Sequence, residues 1–168
     1  MTLIDNISKF LGMVAAVMLF LTGVFLTYEV TARYLFIAPT TWASEVSELF
    51  LLWGVFLALG RTIHYCENIS IDVIYQMLGG NGKRALDILV LVFVLVFFLV
   101  IAFYGYKLAW ESFDKGSTTG TMVDIPNWWV EAAVPVGCAW AAIQTVVELI
   151  RVVAGHPWAA PAGHGGDL

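Results

Sequence analysis

The chain has 168 residues, of which 60% are hydrophobic and only 12% charged, with a mean hydropathy of +0.84 and a formal net charge of −5. Soluble domains carry about 25% charged residues, so this composition excludes an ordinary water-soluble globule. The acidic balance excludes a nucleic-acid binder, which needs a basic footprint.

Four long apolar runs fill most of the sequence. Each is continuous and lacks the alternation of a barrel strand, and a backbone in lipid must satisfy its own polar groups, so the runs read as helices. The first is expected from about Ile7 to Leu35. Its apolar stretch, Phe10 to Leu26, is longer than a signal-peptide core, and no small-residue cleavage site follows, so it reads as an uncleaved first span. Glu29 and Arg33 stand one turn apart at its end, where they can pair. Pro39, within the stretch Ile37 to Thr41, ends the helix.

The second helix is expected from about Trp42 to Ile63, with Thr41 as N-cap and with Glu45 and Glu48 near the positive helix end. Its apolar core, Leu49 to Gly60, is short, which places both glutamates at the interface or against protein. Arg61 and His64 lie at the other end and are expected to snorkel. In the segment Ile69 to Leu78, the residues Ile71, Ile74, Tyr75 and Leu78 keep helical spacing. That segment is too short to span, so it reads as an interfacial amphipathic helix, with Asp72 expected to pair with Arg61 or Lys83. Gly79 to Gly82 then break the chain.

The third helix is expected from about Lys83 to Phe113, uncharged from Ile88 to Tyr106, followed by a polar loop from Asp114 to Ile125. The fourth starts near Pro126, a first-turn proline, and runs to about Val153, bent by Pro135. Glu148 and Arg151 are spaced to pair within it. The fold class is therefore all-α, an integral membrane protein with four transmembrane helices and a short interfacial amphipathic helix. Residues 1–153 form one membrane domain, and residues 154–168, rich in Gly, Pro and Ala, are expected to be disordered. Tryptophans beside the runs suit the headgroup level. With both termini in the cytoplasm, the inner side collects Lys9, Arg61, Lys83, Arg84 and Arg151. The outer side keeps Arg33, Lys107 and Lys115 beside many acids, as the positive-inside rule prefers.

Catalytic chemistry has no footing in the sequence. The histidines fall at His64, His156 and His164, none within a span, so no axial haem pair exists. No nucleophile motif, oriented base or phosphate-binding loop occurs. Cys66 and Cys138 have no partners that suggest a metal site or a disulfide. Glu45 and Glu48 share a helix face and admit two readings. One is a proton or cation site in a self-contained small channel or multidrug exporter. The stronger is polar contact with a partner helix or with Arg33, because no mid-bilayer polar group is placed to relay a proton. No buried polar constellation is expected within the spans. Small residues such as Gly12, Ala15, Ala16 and Gly23 suit helix packing and point to an accessory subunit.

Several short pieces occur in a distinctive order. They are Tyr28-Glu29-Val30-Thr31-Ala32-Arg33-Tyr34, then Trp42-x-x-Glu45, Trp53 and Arg61, then Ile69-Ser70-Ile71-Asp72. Gly116-Ser117 precedes Ile125-Pro126-Asn127-Trp128, and Pro135-Val136-Gly137 follows. With the four-helix layout, they resemble the DctQ-like small membrane subunit of tripartite ATP-independent periplasmic (TRAP) transporters, over about residues 5 to 153. Asn68 stands where many relatives carry His.

The resemblance implies a non-catalytic subunit, without a cofactor of its own, that extends the static scaffold of a sodium-driven elevator-type symporter for organic acid-type solutes. It implies a large membrane subunit that holds the solute and sodium ions, and a periplasmic solute-binding protein that delivers the solute. It places the chain among the lipids of the cytoplasmic (inner) membrane of a bacterium or archaeon. The residues expected to serve subunit contact or structural polar roles are Glu29, Arg33, Trp42, Glu45, Glu48, Arg61 and Asp72. The alternative remains an exporter or channel that uses Glu45 and Glu48.

Overall fold

The computed structural model describes residues 2–38, 40–64, 80–120, 124–155 and 158. The expected amphipathic helix, with Asp72, and nearly all of the expected tail lie outside the described residues. The described elements are helices α1 (Thr2–Leu35), α2 (Thr41–His64), α3 (Gly80–Lys115), α4 (Asn127–Glu131) and α5 (Ala133–Val153). Four segments are long and apolar enough to cross a membrane, namely Ile4–Leu35, Trp42–Ile63, Gly82–Lys115 and Asn127–Val153, the last joining α4 and α5. The protein is an all-α membrane protein.

Helix α1 begins five residues earlier than the apolar run suggests. Asp5 and Ser8 supply its polar first turns, and both find partners on α5. With 34 residues in α1 and 36 in α3, the helices are about 50 Å long at a rise of 1.5 Å per residue. That exceeds the roughly 30 Å of hydrocarbon, so these helices tilt or project beyond it.

The described helices form an open row and do not close into a bundle among themselves. α1 packs along α2, α2 along α5, and α5 along α3, which leaves α1 and α3 as the outer members. Half of the most apolar window of the α4–α5 span is buried, against 17% in α1 and α3, so α5 is the central helix.

Helices in lipid gain little from hydrophobic burial against one another, so close packing of small residues holds them. The α1–α2 seam follows that rule. Ser8, Ala15, Thr22 and Glu29 are buried at strict seven-residue spacing on α1, and along α2 Thr22 meets Ser47, Ala15 meets Gly54 and Ser8 lies beside Gly60. Such a repeat favours left-handed crossing of neighbouring helices. Three buried hydroxyls bond back to their own helices, Thr22 to the Met18 carbonyl (2.9 Å), Ser47 to Ala43 (2.6 Å) and Thr145 to Ala141 (2.8 Å). Each of the three thus has an acceptor that does not depend on water. Between α2 and α5 the backbones nearly touch. A Cβ on Gly137 would stand 2.5 Å from the Phe56 Cβ and 2.6 Å from its carbonyl oxygen.

Two local features refine the expectation. The hydrogen-bond ladder of the fourth helix is interrupted beside Ala132, between α4 and α5, although Ala132 keeps helical backbone (φ −63°, ψ −22°). The cause is Pro135, which has no N–H for the carbonyl of Glu131 one turn before it. Pro126 is the N-cap rather than the first helical residue, with extended backbone (φ −61°, ψ 126°) and a bridge to Thr118. That bridge draws the two ends of the α3–α4 loop together, with the Thr119 amide donating to Ile125 at 3.1 Å and the Asn127 amide to Ser117 at 3.0 Å.

Candidate functional site

The most connected polar group in the described structure lies where α1 begins and α5 ends. On α5, Gln144, Glu148 and Arg151 sit at i, i+4 and i+7, so helical periodicity aligns them on one face. On α1, Asp5 and Ser8 sit one turn apart. Ser8, fully buried, donates from Oγ to Gln144 Oε1 at 2.8 Å. Gln144, also fully buried, donates from Nε2 to Glu148 Oε1 at 3.1 Å. Arg151 Nη1 donates to the same glutamate oxygen at 2.8 Å, while its Nη2 pairs with Asp5 across the helices. Nearby, the Arg84 guanidinium of α3 donates to the Val153 carbonyl and caps the end of α5.

This network corrects the expectation that the spans hold no buried polar constellation. The Glu148–Arg151 pair is legible as an i, i+3 spacing, but Asp5, Ser8 and Gln144 are not singled out by sequence alone. Their available signal is the single polar stripe at 144, 148 and 151 on an otherwise apolar helix. Chemically the arrangement is a lock. It joins charged and amide groups of two helices whose backbones scarcely meet, and it lies near the helix ends, away from mid-membrane. Among the described residues, no three His, Cys, Asp or Glu side chains converge as metal ligands.

The remaining sequence-derived residues are scattered. Glu29 is buried in the α1–α2 seam and pairs with the half-exposed Arg33 on its own helix. Arg33 is thus paired within α1 and is not given to Glu45. Both carboxylate oxygens of Glu45 are enclosed and have no hydrogen-bond partner, whereas Glu48 is exposed. The two glutamates therefore do not form one site. Trp42 lies against Phe25 and Tyr28, with ring centroids 6.2 and 6.0 Å away. The Arg61 stem does not simply extend to the interface but crosses α1 at Gly12, where a Cβ would meet its Cδ at 2.2 Å. Trp53 donates from Nε1 to the Trp129 carbonyl at 3.0 Å, tying α2 to α4.

Residues 22–155 match the family described as tripartite ATP-independent periplasmic transporters, DctQ component. The chain belongs to that family. It is a small, non-catalytic, multi-pass membrane subunit of a TRAP transporter. It is 22% identical over 145 residues to the ectoine TRAP transporter small permease protein TeaB of Halomonas elongata, an alignment that covers 86% of this chain and 75% of that protein. The matched span of the DctQ family includes Gln144, Glu148 and Arg151 but begins after Asp5 and Ser8, so the lock joins matched to unmatched parts of the chain.

Proposed function

We propose that this subunit widens the immobile frame of a sodium-driven TRAP transporter. A large membrane subunit then carries the solute and sodium sites, and a periplasmic binding protein delivers an organic acid-type solute. The observation that carries this reading is the open row. Its two outer helices are pinned by small-residue seams and by the Asp5–Arg151–Glu148–Gln144–Ser8 lock, while broad apolar faces on α1 and α3 remain uncovered. A domain that moves through the bilayer needs a stationary partner, and a pinned row of tilted helices resists rocking. The acidic end, with Glu111, Asp114, Asp124 and Glu131, faces the periplasm in this reading and meets the binding protein, and both termini lie in the cytoplasm of a bacterial or archaeal cell. The name of TeaB refers to ectoine, and the solute class proposed for the present transporter is organic acids.

Reconstitution into liposomes tests the proposal. The chain alone takes up no solute. With its large subunit and binding protein, uptake requires an inward sodium gradient. Uptake by the chain alone overturns the scaffold reading.

A further inference from the structure

One cavity stands apart from the polar lock. It lies between α3 and the α4–α5 break, with a volume of about 530 Å³ and an apolar lining. Its floor is made of alanines, Ala102 and Ala109 on α3 and Ala132 and Ala139 beside Pro135. Close approach of the helices at Gly105, where a Cβ would stand 3.0 Å from Val134, holds α3 and α5 together alongside it.

We infer that this groove holds one acyl chain of a phospholipid from the leaflet on the α3–α4 loop side. Three observations carry the assignment. The first is length. From Ala102 to Phe113 the groove follows 12 residues of α3, about 16 Å end to end at 1.5 Å per residue step, which is close to half of the roughly 30 Å hydrocarbon core and so one leaflet deep. The second is the chemistry of its mouth. Tyr106, Trp110, Phe113 and Trp128 line the groove toward the polar loop and form a run of ring contacts with centroids 5.6–6.1 Å apart. Tyrosine and tryptophan favour the headgroup level, so the groove opens where a glycerol backbone would sit and deepens where methylenes would lie. The third is volume. A single flexible chain fits in about 530 Å³ along this length.

The test uses the whole chain, both alone and copurified with its large subunit. Native mass spectrometry after prolonged detergent washing is expected to retain one phospholipid per chain in both preparations. Ala109→Phe with Ala139→Phe, which fill the floor, should cut the retained fraction at least fivefold. Because those substitutions can disturb packing, the unaltered chain is also titrated in detergent with phosphatidylcholine brominated midway along one acyl chain. Tryptophan quenching should saturate at one equivalent per chain. Quenching that climbs without a plateau marks only bulk contact with lipid and overturns the inference. So does lipid retained by the isolated chain but absent from the copurified complex, since a protein segment then occupies the groove.

Discussion

At the scale of single residues, the closest approaches decide which changes the fold tolerates. Gly137→Ala drives a methyl into the Phe56 backbone, 2.6 Å from its carbonyl oxygen, and backbone cannot step aside. Overpacking of this kind costs about 1–3 kcal/mol, and thermal melting in detergent should show the loss. Gly12→Ala also collides, at 2.2 Å, but with the flexible stem of Arg61, so its melting temperature should fall much less. The ion pairs divide in the same way. Arg151→Met takes the arginine from Glu148 and Asp5, whose side chains are 5% and 15% exposed, and breaking such a buried pair costs on the order of 3 kcal/mol. Arg33→Met leaves one buried carboxylate, Glu29 at 8% exposure, where Arg151→Met affects two, and the arginine it removes is itself 55% exposed, so its loss should be the smaller. Equal losses from the two substitutions would remove the distinction between the two-helix lock and the pair within one helix.

At the scale of helices, the row order 1-2-5-3 makes a checkable statement about neighbours. With Cys66 and Cys138 replaced, Thr22→Cys with Ser47→Cys should cross-link on mild oxidation, because these residues meet in the α1–α2 seam. Val17→Cys with Val96→Cys should not, since α1 and α3 are the outer members of the row and both valines are exposed. An efficient α1–α3 cross-link within one chain would mean a closed bundle.

This is also the scale at which the sequence speaks most clearly and then stops. The spans are legible because a 30 Å slab of hydrocarbon demands long apolar runs, and the break before α5 is foreshadowed by a proline without an N–H. Local pairs such as Glu29–Arg33 and Glu148–Arg151 are legible because helical geometry fixes i, i+3 and i+4 neighbours. The row order is not, because small residues appear on several faces and the choice of partner depends on close packing. Nor is the joining of Ser8 to Gln144, which are 136 positions apart. Glu45 illustrates the limit. Its place near a helix start is readable, but its enclosure without a hydrogen-bond partner appears only in three dimensions.

For the whole molecule, the decisive question is whether anything passes through this chain or only beside it. A self-contained exporter would need a membrane carboxylate that alternates between the two sides. Glu45 and Glu48 are the residues that such a mechanism would use, yet one is enclosed and the other faces outward on the same helix. Replacing both with glutamine keeps shape and hydrogen-bonding capacity but removes charge. If the subunit is a frame, Glu45→Gln with Glu48→Gln leaves the turnover of the assembled transporter within about twofold. Any loss then appears as weaker copurification of the large subunit, because the charges act through association and not through a passage. If the chain conducts, the same double substitution abolishes uptake while the complex still purifies intact. Measuring sodium-dependent uptake and subunit stoichiometry on the same preparation separates these outcomes, since a frame loses partners before it loses rate and a carrier loses rate with its partners in place.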